Sequence, residues 1–540
     1  MTKYIFITGG VLSGVGKGVT SASIAMLLQS MGYNVTAIKI DPYINVDAGT
    51  MNPYAHGEVF VTDDGGETDL DIGHYERFLG KNLSKKNNIT TGQVYLSVIT
   101  KERKGVYLGS TVQIIPHVTN EIKNIIMEVA KEQAADITIV EIGGTVGDIE
   151  GLPFLEAIRQ MRLENGYRNT FFIHVALVPT LRTTGEQKTK PVQHSVQELR
   201  RIGIQPDMIV ARCEKPLSDE ARRKIALYSN VPEEYVISNH DVETIYEVPL
   251  ILYMQRVPLL IAQRLELVYR EPEISLWLNF VEKLKKADVK LRIAMIGKYT
   301  KLQDSYISII EAIKHSSAYL GIKPIFHWIE SSELENHDNY DVEKIIGKVD
   351  GAIILPGFGK RGSIGKIKAI KYLRENNIPT LGICFGFQLM IVEFARNVLN
   401  LRDADSSELN PTTPHPVIDL LPMQRNIDFI GGTMRLGSKT IKLIKGTKVF
   451  EAYGRDTIVE RHRHRYGVNN KYIELFEKNG FIVSGVSSDE EIVEFMELKS
   501  HNFFIGTQAH PEFRSKPLEP SPIYTYFLRT ALLIKNTNLR

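Results

Sequence analysis

Five short runs in the first half of the chain, residues 4–8, 35–40, 137–141, 171–178 and 208–211, are almost wholly apolar and rich in β-branched side chains. Stretches of helical pattern separate them. Strands of this kind are buried on both faces, as in a parallel sheet covered by helices. The alternation breaks at Arg270-Glu271-Pro272-Glu273, passes through a charged helical stretch ending Lys283-Leu284-Lys285-Lys286, and restarts with the strand-like Leu291-Arg292-Ile293-Ala294-Met295-Ile296. A second series follows, with strands at 351–355, 457–460, 481–483 and 503–506 and a helix at 366–375. A chain of 540 residues is too long for one core. The pattern predicts an α/β protein with two tandem Rossmann-like domains, 1–268 and 291–540, joined by a linker at 269–290.

The second domain carries the sharpest chemical signal. Leu381-Gly382-Ile383-Cys384-Phe385-Gly386-Phe387-Gln388 follows a strand-like segment and runs into the helical Leu389-Met390-Ile391-Val392. A strand turning abruptly into a helix, with small residues around the turn, is the layout of a nucleophile elbow. The helix N-terminus aimed at the sulfur favours its charged form. A cysteine nucleophile needs a base and a group to orient that base. Thr507-Gln508-Ala509-His510-Pro511-Glu512 supplies both, with His510 as base and Glu512 as its partner. The N–H of Phe385 and the loop Pro356-Gly357-Phe358-Gly359 offer an oxyanion hole. A lone histidine is more often structural; the combination with an elbow and a glycine loop points to acyl transfer.

The first domain reads as a nucleotide site. Gly9-Gly10-Val11-Leu12-Ser13-Gly14-Val15-Gly16-Lys17-Gly18 joins the first strand to a helix. Glycines turn backbone N–H groups toward phosphate oxygens, Lys17 adds a point charge and the helix adds its dipole. The match to the standard phosphate loop is imperfect: Val11 stands where the first glycine belongs, and Gly18 replaces the Ser/Thr that holds magnesium. Another group must then hold the metal. Asp71, in the acidic stretch Asp63, Asp64, Glu67, Asp69 and Asp71, and Glu141, at the end of a central strand, are the candidate Mg2+ ligands. Asp63 and Asp64 read as a solvated loop. Lys188 and Lys190, two apart, would point to one side of an extended segment, and Lys39 ends the second strand. Together they suggest two polyphosphate ligands, although a lysine pair alone is usually just solvated.

Composition removes some alternatives. A net charge of +2 gives no reason to expect nucleic acid as main partner, and the basic run Arg461-His462-Arg463-His464-Arg465 is too short to change that. No apolar run reaches the roughly 20 residues of a membrane span. No signal peptide is expected, since Met1-Thr2-Lys3 leads straight into a strand. Two cysteines fit a reducing cytoplasm better than a disulfide framework.

These motifs, with Lys39-Ile40-Asp41-Pro42-Tyr43-Ile44-Asn45, His56-Gly57-Glu58-Val59-Phe60, Gly143-Gly144-Thr145-Val146-Gly147-Asp148-Ile149-Glu150 and Asn239-His240-Asp241-Val242, make the chain resemble the CTP synthases along essentially its whole length. That family joins a phosphate-loop synthetase domain to a class I glutamine amidotransferase domain. The resemblance implies amination of UTP to CTP through a 4-phosphorylated intermediate, with ATP as co-substrate and ammonia from glutamine. It implies that Cys384, His510 and Glu512 form the triad and that Gly357, Phe385, Gln388, Glu408 and Arg465 hold glutamine. ATP would meet Ser13, Gly14, Val15, Gly16, Lys17, Gly18, Lys39 and Asp71, with Arg212, Asp241 and Val242 on the adenine side. UTP, or CTP as feedback inhibitor, would meet Ser13, Asp148, Ile149, Glu150, Lys188, Thr189, Lys190, Gln193, Lys224 and Tyr228. His56 would lie near an ammonia passage. GTP as activator, a lid near 431–435, a homotetramer and a cytoplasmic location are further implications. Gly151, where many members have serine, is a departure that removes no catalytic group. Two other readings share some of these parts: another ATP-dependent amide synthetase with a fused cysteine amidotransferase, and a nucleotide-switch or filament scaffold. The scaffold has no use for Cys384 with His510, and the lysine-rich 188–193 segment speaks against the other synthetases.

Overall fold

Each of the five apolar runs becomes a strand of a single parallel sheet. The computed structural model describes residues 2–52, 56–337, 339–424, 431–489 and 491–538. In the first unit the strands are β1 (Lys3–Gly10), β2 (Val35–Asp41), β3 (Asn88–Thr90), β4 (Ile137–Ile142), β5 (Thr170–Leu177), β6 (Met208–Cys213) and β7 (Val236–His240). They stand in the order β3-β2-β4-β1-β5-β6-β7, and every pairing is parallel. The residues of β1, β2 and β4 are buried apart from Lys3 at the edge, because helices cover both faces. One of these, α1 (Lys17–Ser30), is buried over most of its length. The order reverses beside β1, where open α/β sheets bind their ligands beyond the strand C-termini. Register places Glu141 opposite both Ile7 and Lys39, so strand pairing alone brings those groups to one edge.

The second unit holds a mixed sheet. Its strands are β8 (Val289–Gly297), β9 (Ile322–Glu330), β10 (Gly351–Ile354), β11 (Thr380–Ile383), β12 (Arg435–Leu443), β13 (Thr457–His464), β14 (Phe481–Ser487), β15 (Val493–Leu498) and β16 (Phe504–Thr507). Their order is β9-β8-β10-β11-β16-β15-β14-β12-β13. From β9 to β16 the pairs are parallel, and from β16 to β13 antiparallel. Two buried clusters, one around Phe387, Met390 and Phe481 and the other around Ile293, Phe495 and Phe527, fill its interior.

The units are not simply the two halves of the sequence. The first comprises Met1–Ala48 and Asp71–Leu278, and the second Gly49–Leu70 and Asn279–Arg540. An excursion of 49–70 thus folds with the C-terminal unit. Residues 275–286, within the expected linker, form a regular helix. No single helix among the described residues is long and apolar enough to cross a membrane.

Helix α2 (Phe385–Asn397) begins at the turn that follows β11. That turn tolerates no side chain at its flanking glycines. A Cβ on Gly386 would lie 2.1 Å from the Ile354 carbonyl oxygen, and one on Gly382 2.2 Å from the Met390 sulfur. At Gly151, a Cβ would meet nothing within 4 Å. Gly386→Ala is therefore expected to cost about 1–3 kcal/mol through forced backbone movement, and Gly151→Ala less than about 0.5 kcal/mol. Denaturant unfolding midpoints of the two variants check this.

Candidate active site

Cys384 caps α2 with φ 51° and ψ −106°. A non-glycine residue in that region is strained, at a cost of order 1–3 kcal/mol, and is found where a site over-determines the backbone. The glycine clashes above leave the turn no easier course. Cys384 N–H donates to the Thr507 carbonyl at 2.7 Å, fixing the elbow to β16. The thiol lies 3.6 Å from the Arg463 carbonyl oxygen and 3.6 Å from the Gln508 amide nitrogen.

The other predicted partners converge on the same place. A cavity of about 170 Å³ is lined by Cys384, Phe385, Gln388, His510 and Glu512. Gly357, Glu408 and Arg465 also face it. His510 Nδ1 and Glu512 Oε1 are 2.7 Å apart, and Phe513 stacks on the imidazole with ring centroids 5.1 Å apart. His510 Nε2 is buried without a hydrogen-bond partner among the described residues. Burial opposes the imidazolium, yet the Glu512 carboxylate and the nearby Cys384 sulfur outweigh it and raise the His510 pKa to about 10. Gln388 donates to the Tyr466 carbonyl at 2.9 Å and to Gln508 Oε1 at 3.1 Å. Arg465 donates to Gln424 and Thr433.

Two lysines unnoticed in the sequence support the glycine loop. Lys366, on the helix Ser363–Glu375, is fully buried and donates to the Leu355 and Pro356 carbonyls. Burial and the charge of Lys298 push its pKa down to about 7. Lys298 donates to the Phe358 and Gly359 carbonyls, and burial and Arg361 lower it to about 8. With these carbonyls engaged, the loop keeps Gly357 at φ 148°, a conformation glycine alone adopts readily. Glu408 accepts from Gly359 N–H at 2.7 Å. The only sequence trace of this support is a lysine next to Gly365, whose Cβ would collide with the Ser331 carbonyl.

In the first unit the deviant phosphate loop keeps its expected shape. Val11 adopts φ 78°, a genuine outlier for a β-branched side chain, so the backbone of the missing glycine survives its replacement. Gly14 and Gly16 are left-handed as well. Lys17 folds back over Gly9 and donates to the Gly144 carbonyl at 2.7 Å. Arg212, ion-paired with Asp241 at 2.5 Å, lies beside Gly16.

Lys39 bridges Asp71 and Glu141, and Tyr75 donates to the other Glu141 oxygen. A Cβ on Gly18 would fall 1.8 Å from Asp71 Oδ1. The missing hydroxyl at position 18 is thus what lets Asp71 approach the loop. Burial raises the Glu141 pKa, whereas Lys39 overcomes burial at Asp71 and lowers it to about 2. Two carboxylates converging on one cation beside a phosphate loop suit Mg2+, which takes one or two carboxylates plus phosphate oxygens. No group of three or more potential ligands exists among the described residues.

Behind the loop, the buried His174 bridges Thr8 and Ser195, each at 2.9 Å. It ties β1 to the helix Lys190–Arg201, and burial with Lys17 lowers its pKa to about 3. Lys190 lies 5.4 Å from the Tyr228 ring centre. Gln193 donates to Thr189, Lys188 pairs with Glu186 and Lys224 with Glu220. Asp148, Ile149 and Glu150 make no hydrogen bond or ion pair with these residues, and Ile149 is 79% exposed. His56 pairs with Asp69 at 3.4 Å, and the adjacent Gly57 lines the Cys384 cavity.

One expectation is corrected. Asp63 is not a solvated acid: it accepts from Arg461 at 2.6 Å and Arg514 at 3.2 Å. Burial works against its charge, but Arg461 wins and lowers its pKa to about 2. Asp64 is exposed, as expected.

Glu512→Gln removes the charge that holds the His510 proton, and burial then dominates. The wild-type imidazolium contributes stability below its ordinary pKa, lost as pH rises through about 10. In the variant the His510 step in the pH profile of Cys384 alkylation is expected at a distinctly lower pH, read by peptide mass.

Comparison with known proteins gives matches over both parts. The family model described as CTP synthase N-terminus matches residues 3–267, and that of class-I glutamine amidotransferase matches 301–530. The CTP synthase of Aeropyrum pernix is 61% identical over 528 residues, covering 97% of this chain and 98% of its own length. That of Thermococcus kodakarensis is 57% identical over 532 residues, covering 98% and 99%. Among solved structures, the glutaminase domain of Trypanosoma brucei CTPS with bound acivicin is 34% identical, with a TM-score of 0.43, over 45% of this chain and 94% of that one.

Proposed function

The chain belongs to the CTP synthase family, and from that premise we propose how its residues divide the work. It is a glutamine-hydrolysing ligase that aminates UTP to CTP in pyrimidine biosynthesis, with ATP as co-substrate.

Cys384 attacks the glutamine amide carbon after passing its proton to His510. Glu512 holds the imidazole and stabilises its positive charge. The N–H groups of Phe385 and Gly357 take the charge that develops on the amide oxygen. His510 then gives its proton to the departing nitrogen, which leaves as ammonia. Water, deprotonated by His510, opens the thioester to glutamate and restores the thiol. Gln388, Glu408 and Arg465, all lining the cavity, orient the substrate. The observation that carries this reading is the strained Cys384 elbow sharing one cavity with His510 and Glu512.

In the other unit, phosphorylation turns the uracil 4-oxygen from a poor leaving group into a good one, and ammonia then displaces phosphate. The loop 9–18 and Lys17 grip the ATP phosphates, with Lys39 beside them. Arg212, Asp241 and Val242 would hold the adenine end. Asp71 and Glu141 would hold Mg2+, which when bound neutralises phosphate charge during transfer. Lys188, Lys190, Gln193 and Lys224 would receive UTP, with Glu150 and Tyr228 on the side of inhibitory CTP and His56 near the ammonia passage. Residues 1–268 form the synthetase, less the excursion, and 291–540 the amidotransferase. GTP activation through 431–435 and a cytoplasmic homotetramer complete the reading. Exposed apolar side chains at Leu96, Ile99, Leu108, Ile114 and Ile115 support assembly.

The test is CTP formation from ATP, UTP and Mg2+ with glutamine or ammonium as nitrogen source. Cys384→Ala should retain the ammonium-dependent rate alone, and Lys17→Ala should lose both. Glutamine use by Cys384→Ala would sink the nucleophile assignment.

A further inference from the structure

Strand β13 frames the glutaminase machinery with its backbone. Its Arg463 carbonyl receives the Cys384 thiol at 3.6 Å, and its Arg461 carbonyl accepts from the His510 backbone N–H at 2.8 Å. Nucleophile and base are thus both referenced to one strand. Among the described residues β13 is an edge strand of its sheet, and pairing there on one side only leaves its position dependent on side-chain anchors.

Those anchors come from the excursion at 49–70. Arg463 Nε donates to Glu67 Oε1 at 2.7 Å, and its other end donates to the Gly49 carbonyl at 2.9 Å. Glu67 is buried, its side chain 2% exposed. Gly49 must be glycine for this approach, since a Cβ would lie 2.3 Å from a Glu67 oxygen. Arg461, fully buried, donates to Asp63 Oδ1 at 2.6 Å and to the Val61 carbonyl at 3.0 Å. From the same excursion, Phe60 meets Phe513 edge to face at 5.1 Å, and Phe513 is the ring stacked on His510.

We propose that Glu67 and Asp63 are positioning residues for glutamine hydrolysis, acting through Arg463 and Arg461 to hold the strand that locates Cys384 and His510. This rests on the triad reading above. A buried carboxylate bound to a guanidinium is costly to disrupt, because removing one charge leaves the other uncompensated. A small shift of a reacting group is enough to cost a factor of up to about a hundred in rate. The consequence is regulatory in kind: a segment encoded among the synthetase residues sets the competence of the glutaminase.

The experiment compares wild type, Glu67→Gln, Asp63→Asn and Glu67→Asp as full-length protein. Glutamine-dependent and ammonium-dependent CTP formation are measured on the same preparations, together with iodoacetamide alkylation of Cys384 and thermal unfolding. Glu67→Gln is expected to lower the glutamine-dependent kcat by about tenfold to a hundredfold, with a smaller change in KM. The ammonium-dependent rate should stay within about twofold, and the Cys384 alkylation rate should change. Asp63→Asn should act in the same direction, and Glu67→Asp, which keeps the charge, should recover part of the loss. The proposal is overturned if Glu67→Gln keeps its glutamine-dependent kcat, or if both rates fall together with the unfolding temperature. If Glu67→Gln fails to fold, Glu67→Asp and Asp63→Asn decide by the same two criteria. Cys384→Ala in parallel separates the claims: glutamine-dependent CTP from that variant refutes the triad whatever Glu67 does.

Discussion

Side chains alternate across a β-strand, and in β13 that rule organises the amidotransferase site. Arg461 and Arg463 on one face meet Asp63 and Glu67. His462 and His464 on the other meet the buried Glu494 and Arg435, with His462 2.7 Å from Glu494 and Arg435 3.1 Å from His464. Burial alone would keep Glu494 protonated; His462 and Arg435 lower it to about 2 instead. Such a strand is pinned on one face by ion pairs, which cost much to break even where they add little net stability, and on the other by hydrogen bonds of His462 and His464 to the Glu494–Arg435 pair. Its carbonyls can then serve as fixed reference points for the Cys384 thiol and the backbone of His510.

The two units use one strategy for different chemistry. Each places a strained, tightly turned loop between a strand and a helix N-terminus. Val11 carries the strain in one and Cys384 in the other. Each also binds a lysine to backbone carbonyls: Lys17 to Gly144 in the phosphate loop, and Lys366 to Leu355 and Pro356 behind the glycine loop. A lysine so placed fixes the backbone geometry of the loop it binds.

Much of this was legible from residue order. The apolar runs announced the parallel strands because burial on both faces leaves little room for polar residues. The elbow and the His-Pro-Glu run were legible because their chemistry is local in sequence. The phosphate loop was readable despite Val11 and Gly18, and both departures have a physical resolution: the backbone holds Val11 left-handed, and Gly18 makes room for Asp71. Long-range pairings were not legible. Asp63 looked like a solvated acid because its partners lie 398 and 451 residues away. Lys298 and Lys366 bind carbonyls, which carry no side-chain signature. The basic run 461–465 reads in sequence only as too short to bind nucleic acid, and only the fold shows that Arg461 and Arg463 face acids of the excursion.

The central claim is that a single thiol, Cys384, performs the glutamine chemistry while the synthetase site works independently of it. Both cysteines, 213 and 384, are buried and free, so burial does not tell them apart. The direct measurement is covalent trapping of the native protein with a glutamine-mimicking electrophile, followed by peptide mass and assay with each nitrogen source. The account predicts an adduct on Cys384 alone, with glutamine-dependent CTP formation abolished and ammonium-dependent formation retained. An adduct on Cys213 that abolishes glutamine use while Cys384 stays unmodified would contradict it.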